Sequence, residues 1–264
     1  MNTMISALDL PESLLTDDNH PEKIALPGSL KKVPISSAPQ YTLYRLLRHL
    51  KPTSVLEIGS QAGSSALIMA MAFRDNQMDV DVTCVDPFYS TGDNDGLSTL
   101  TDWYNTIYKS GFKPGIQLLI STSEIIIPLV NKRFDFVFVD GSHKYEDVRN
   151  DSLLSLLLLT VGGYFLVHDY MIYESVRRAC DEVVTVCGLP HYVNSIQKNY
   201  RGEVCGWMIA RKTRDFQQSE IRDLLTGTDM PLLHEWVALA KKQVPSSFKK
   251  KFRKLLELLQ SNKG

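Results

Sequence analysis

Residues 54–66, Ser-Val-Leu-Glu-Ile-Gly-Ser-Gln-Ala-Gly-Ser-Ser-Ala, constrain this chain more than any other stretch. An apolar run meets a glycine-punctuated turn, and the turn opens into a segment patterned as a helix. Strand, tight turn and helix in that order form the first βα unit of a doubly wound sheet, where such folds receive a small ligand.

The rest of the chain repeats the alternation. Residues 41–50 carry apolar side chains at 43, 44, 46, 47 and 50, a helical period closed by Lys51-Pro52. Strands are expected over 79–86, 116–120, 134–140 and 163–169, the third of them Phe-Asp-Phe-Val-Phe-Val-Asp. Between them the pattern predicts a short helix to Val130, capped at Thr122 or Ser123, and longer helices over 143–159 and 175–187. Residues 191–211 read as a closing β-hairpin with Tyr200-Arg201-Gly202 near its turn. The fold class is therefore α/β: a doubly wound, mostly parallel sheet with a C-terminal antiparallel hairpin strand and helices on both faces. Three segments follow: an irregular, proline-rich N-terminal arm over 1–38, the α/β domain over 39–212, and a helical extension over 213–264.

Composition narrows the partners. In 264 residues the formal net charge is -1, which argues against a dedicated nucleic-acid binder. Cys84, Cys180, Cys187 and Cys205 show no zinc spacing and sit in apolar stretches, so a reducing, cytoplasmic setting is expected. The acidic N-terminus is not a signal peptide, and the apolar run 153–167 is too short to span a bilayer. Near the end, Phe248, Phe252, Leu255, Leu256 and Leu259 share one helical face amid lysines and Arg253. Such a helix packs on its own domain or a sister subunit, as in a homo-oligomer; contact with an anionic membrane surface is the lesser alternative.

The turn itself selects among nucleotide-like ligands. A dinucleotide fingerprint needs glycines at 59, 61 and 64, and this chain has Gly59, Gln61 and Ser64. In their place stands Glu57-x-Gly59-x-x-x-Gly63. An acid leading the turn suits a cationic cofactor such as S-adenosylmethionine, and the free N–H groups of the following helix suit that cofactor's carboxylate. Asp86, ending the second strand, is placed for the two ribose hydroxyls. Taken alone, Glu57 and Asp86 also read as strand-end caps.

Three stretches carry a resemblance: Val55-Leu56-Glu57-Ile58-Gly59-Ser60, Val139-Asp140-Gly141-Ser142-His143-x-Tyr145, and Gly162-Gly163-x-x-x-x-His168-Asp169-Tyr170. Over roughly residues 40–210 the chain resembles the class I S-adenosylmethionine-dependent methyltransferases. It looks most like the metal-dependent branch that includes the macrolide sugar O-methyltransferases and, more distantly, catechol O-methyltransferase. The resemblance implies the Rossmann-like methyltransferase fold, with the cofactor held by Glu57, Gly59, Ser60, Gly63, Ser64 and Asp86, Asp140 at its edge and Ser123 on the adenine side. It also implies His143 as general base.

Asp140 and Asp169 each end a strand, and in this fold the two strands are neighbours. Their carboxylates emerge side by side; Mg²⁺ or another divalent cation would relieve their repulsion and acidify a substrate hydroxyl. The alternative is that both cap the helices that follow. His143 at a helix mouth is either a base, since an unperturbed imidazole titrates near ~6.5 and can accept a hydroxyl proton, or a cap. His168 is a candidate third ligand or a core residue. Tyr145 is expected at the substrate edge, Asp151 near it, and Trp103 with Tyr104 closing over the cofactor. Thr91, Asp93, Asp95, Gly96 and Asp102 echo a calcium loop, but a strand rather than a helix precedes them, so a solvated loop is expected. The activity these residues imply is methyl transfer to a hydroxyl of a sugar or other polyhydroxylated small molecule, with Asp140 and His143 as catalytic groups. Two rival readings share the scaffold: a non-catalytic cofactor-binding domain and a metal-dependent hydroxylase.

Overall fold

Strands that are apolar on both faces fill the interior of a layered α/β domain. The computed structural model describes residues 7–16, 37–89, 96–112, 115–195, 204 and 206–225. In chain order these give α1 (Glu12–Thr16), α2 (Ser37–Leu50), β1 (Val55–Ile58), α3 (Ser64–Asp75), β2 (Val82–Val85), α4 (Gly96–Ser110), β3 (Ile116–Leu119) and α5 (Ser123–Ile126). After a 3₁₀ turn, Ile127–Leu129, come β4 (Phe134–Val139), α6 (Tyr145–Leu158), β5 (Leu159–Val167), α7 (Glu174–Val186), β6 (His191–Asn194), β7 (Trp207–Arg211) and α8 (Gln218–Leu224). Every residue of β1 and β2 is buried, and so is β4 apart from Asp135.

The strands form one seven-stranded sheet in the order β3-β2-β1-β4-β5-β7-β6. The first five run parallel, while β7 is antiparallel to both its neighbours. The chain order reverses between β1 and β4, and the crevice outside their carboxyl ends is where a fold of this type binds its ligand. The expected α/β architecture and the antiparallel closing pair are both present.

Some boundaries differ from expectation, each for a local reason. The N-terminal arm is not irregular throughout: Pro11 precedes α1, and Leu8, Leu10 and Leu15 are buried in the core. That segment is tied down where the Tyr164 hydroxyl donates to the Leu8 carbonyl (2.5 Å) and Asn194 Nδ2 to the Leu15 carbonyl (3.0 Å). Strand β5 begins at Leu159 because α6 runs into it without a loop. The buried Lys212 ammonium donates to the Leu156 and Leu159 carbonyls, at 2.8 and 2.6 Å, which a helix end would otherwise leave open. Residues past 212 stay with the domain: Phe216 and Ile221 are buried, and Arg149 donates to the Leu224 carbonyl.

Helix α6 starts at Tyr145 rather than His143, which leaves 141–144 as a turn facing the crevice. The run 153–167 is the end of α6 and the start of β5, and no described helix is long and apolar enough to cross a membrane. The hairpin turn at 200–202, the calcium-like residues 91, 93 and 95, Cys205 and the basic helix over 248–259 lie outside the described residues.

Candidate functional site

The turn after β1 is shaped by close backbone approach. Gly59 has φ +88°, and a Cβ there would sit 2.2 Å from the Asp140 carbonyl oxygen, so only glycine lets the β1 and β4 turns touch. Gly63, with φ +80°, precedes α3, and a Cβ on it would stand 3.0 Å from Trp103 Cδ1. No side chain caps the N-terminus of α3, so its first-turn N–H groups open towards the crevice beside Ser64 and Ser65.

That crevice is a cavity of about 1160 Å³, lined at one end by Gly59, Ser60, Ser64, Ser65 and Asp86 and at the other by Asp140, His143, His168 and Asp169. Gln61, Phe88 and Asp169, all with left-handed backbones (φ 45°, 49° and 57°), lie on its wall, where strain of that kind concentrates in functional sites. Asp86 ties two of these turns: one oxygen accepts from the Gln61 N–H (2.8 Å), the other from the Phe88 N–H (2.6 Å). Its remaining lone pairs keep it able to accept from a ligand.

Glu57 is placed differently from expectation. It is fully buried and does not line the cavity; one carboxylate oxygen accepts from the Ser60 hydroxyl and the other from Ser65. Burial pushes its carboxyl up to about 7, with the serine hydroxyls opposing. Ser60 and Ser65, not Glu57 itself, line the cavity. Ser123 is buried, lines the cavity and donates to Asp151, whose carboxyl burial likewise raises to about 7. Beside them Thr122 Oγ1 is buried on the cavity wall without a hydrogen-bond partner among the described residues.

At the other end Asp140, His143 and Asp169 converge, with one ligand atom from each lying within 4.8 Å of the others. Strands β4 and β5 place them, since Val139 pairs with Val167 and each acid follows soon after. His143 Nε2 lies 3.2 Å from Asp169 Oδ2, and the imidazole stacks on Tyr173 with centroids 4.0 Å apart and planes 15° apart. The Ser175 hydroxyl donates to the His143 carbonyl at 2.6 Å, fixing the backbone beneath the ring.

His168, expected as a third ligand or a core residue, faces the two carboxylates: its Nδ1 is 2.9 Å from Asp169 Oδ1 and 3.3 Å from Asp140 Oδ1. Burial works against its charge, but the two carboxylates prevail and raise its pKa well above the ordinary imidazole value. For Asp169, burial acts upward and is overcome by His143 and His168, which hold it well below the usual carboxylate range. The convergent histidine is His143.

Two further expectations move. Tyr145 does not line the cavity; its hydroxyl donates to Glu182 and Arg178 lies over its ring. Trp103 packs beneath the glycine turn rather than over the cavity, and Tyr104 stacks on Tyr108 along α4. Ser65, Tyr173 and the pairing of Asp151 with Ser123 escape a reading of motifs. Only the eight-residue offset of a hydroxyl from Glu57, at the start of a helix, hints at the first.

Known proteins share this fold. Residues 56–170 match the family model described as a methyltransferase domain. Among solved structures, the O-methyltransferase TomG from Streptomyces achromogenes, involved in tomaymycin synthesis and solved in complex with S-adenosylmethionine, shares 19% identity at a TM-score of 0.57, covering 70% of this chain and 84% of its own. Cofactor-bound Rv0187 from MTB shares 16% at a TM-score of 0.56, covering 81% and 89%. The S-adenosylhomocysteine-bound methyltransferase PaMTH1 from Podospora anserina shares 15% at a TM-score of 0.52, covering 69% and 83%. An uncharacterized protein, R132, from Acanthamoeba polyphaga mimivirus is 29% identical over 123 residues, 45% of this chain and 52% of that protein, so the match spans about half of that relative's length. Residues 56–170 thus match a methyltransferase domain, and the seven-stranded sheet around them has the Rossmann-like fold of these solved structures.

Proposed function

We propose that the protein transfers a methyl group from S-adenosylmethionine to a hydroxyl oxygen of a small polyhydroxylated molecule such as a sugar. The observation that carries this reading is the single cavity that joins the open N-terminus of α3 to the Asp140, His143 and Asp169 group. Its volume of about 1160 Å³ exceeds that of an ordinary single-ligand pocket, in keeping with a cofactor and an acceptor held together.

The cofactor fits the residues present. The uncapped first turn of α3 suits its carboxylate, Asp86 its ribose hydroxyls, and the unpartnered Thr122 Oγ1 with Ser123 the edge of its base. It supplies an electrophilic methyl group on a sulfonium. The chain's residues supply positioning, exclusion of water and a proton acceptor. With His143 Nε2–H given to Asp169, Nδ1 carries the lone pair that takes the acceptor's hydroxyl proton. Asp169 orients the ring and stabilises the imidazolium that results, and Tyr173 holds its plane.

A divalent cation such as Mg²⁺ is part of the proposal. The carboxylates of Asp140 and Asp169 offer the oxygen donors a hard cation requires, with His143 converging on them and His168 Nδ1 facing both. Bound there, the ion would lower the pKa of an acceptor hydroxyl.

The test is formation of S-adenosylhomocysteine and a methylated product, followed by mass spectrometry across a panel of sugars and other vicinal diols. His143→Ala is expected to lower the rate about 10²–10⁴-fold. EDTA is expected to lower it and Mg²⁺ to restore it. Turnover indifferent to His143→Ala would remove the base, and turnover indifferent to EDTA would remove the cation.

A further inference from the structure

Trp103 stands outside the cavity yet is bonded to its wall. The indole Nε1–H donates to Ser60 Oγ at 2.8 Å, Ser60 donates in turn to Glu57, and Ser65 donates to the other Glu57 oxygen. All three inner members are shielded from solvent: Trp103 is 6% exposed, Ser60 2% and Glu57 0%. The same indole lies against Gly63, with Cδ1 3.0 Å and Nε1 3.3 Å from where a Cβ would be. One side chain of α4 thus contacts the serine that opens the turn and the glycine that closes it.

Hydrogen-bond direction gives this chain of contacts a consequence. An indole nitrogen only donates, and a serine hydroxyl has one proton. With Glu57 ionised and the Ser60 and Ser65 protons both committed to it, their oxygens turn lone pairs towards the cavity they line. The buried acid therefore acts at one remove: it makes acceptors of two hydroxyls, as a ligand ammonium needs. Beside them, the uncapped N–H groups of α3 are donors, as a carboxylate needs. An ammonium and a carboxylate on one carbon are the amino-acid end of S-adenosylmethionine.

We infer that Trp103 is a positioning residue for the amino-acid end of the cofactor, holding Ser60 and the 59–63 turn in the arrangement that receives it. The inference rests on the reading that S-adenosylmethionine occupies this turn. Loss of the indole N–H frees the Ser60 hydroxyl to rotate, and the cavity then meets an ammonium with a donor for part of the time.

Calorimetry on the full chain separates this role from mere packing by using two ligands. S-adenosylhomocysteine carries the amino-acid end; 5′-methylthioadenosine keeps adenine, ribose and sulfur but lacks it. Trp103→Phe keeps the ring and deletes the N–H, while Ser60→Ala deletes the hydroxyl without disturbing the ring. If Trp103→Phe does not fold, Ser60→Ala carries the test. Each variant is expected to weaken S-adenosylhomocysteine about tenfold, the equivalent of one good hydrogen bond, and to leave 5′-methylthioadenosine within about twofold of the unsubstituted protein. Equal losses for both ligands would reduce Trp103 to a structural residue and overturn the inference, as would no loss for either. An unsubstituted protein that binds neither ligand would instead remove the cofactor reading on which the inference stands.

Discussion

Buried acids dominate the chemistry at the residue scale. Glu57 and Asp151 are both enclosed, both satisfied by serine hydroxyls, and both pushed by burial to a pKa of about 7. For Asp151 the consequence is a pH-dependent stability. Unfolded, the carboxyl ionises near 3.8; folded, near about 7, so between these values the folded state holds the extra proton. The stabilisation of the neutral form is complete below the unfolded value and is lost as pH rises through about 7. Its upper size is on the order of 4 kcal/mol, at 1.36 kcal/mol per pKa unit. Asp151→Asn, which cannot ionise, is expected to flatten the fall in stability between pH 5 and 8, seen as urea midpoints that move together; a slope equal to the parent's would show that Asp151 is not its source. Residue type alone announced Glu57, Asp140, His143 and Asp169. It could not say that Glu57 would be covered by Ser60 and Ser65, or that His168 would face two carboxylates, because those outcomes depend on what packs against each group.

Glycines and strand ends decide matters at the scale of elements. The contact between the turns after β1 and β4 is backbone against backbone at Gly59, and it brings the cofactor turn within reach of Asp140. Gly59→Ala would add a Cβ 2.2 Å from the Asp140 carbonyl in a left-handed conformation, so a loss of at least about 4 kcal/mol is expected by urea denaturation. A variant of parent stability would mean that the two turns part easily. Most elements were legible from their periodicity: β1, β2 and β4, buried apart from Asp135, read as largely apolar runs, and the helices as 3.6-residue patterns. The ends were less so. Helix α6 passes into β5 because Lys212, far along the chain, supplies the donors its last carbonyls need, and nothing near residue 159 signals that.

On the scale of the whole molecule the function depends on topology. The order β3-β2-β1-β4-β5-β7-β6 sets β1 beside β4 and β4 beside β5, so three turns distant in sequence share one crevice. A ligand seated across them binds only the folded chain. At a free concentration one hundred times its Kd, S-adenosylhomocysteine would stabilise the protein by about 2.7 kcal/mol. For a domain of this size that corresponds to a rise in Tm of roughly 5–10 °C by differential scanning fluorimetry, and no rise at saturating ligand would contradict the cofactor reading. By itself the sequence determined the fold class, the cofactor turn and the acids that end β4 and β5, since periodicity, glycine placement and strand-end carboxylates are local properties. Only the tertiary structure decided which groups line the cavity or converge: Ser60 and Ser65 in front of the buried Glu57, His143 with Asp140 and Asp169, and Trp103 beneath the turn. Burial, hydrogen-bond direction and charge pairing belong to neighbours in space, and the chain brings those neighbours together only when the sheet is complete.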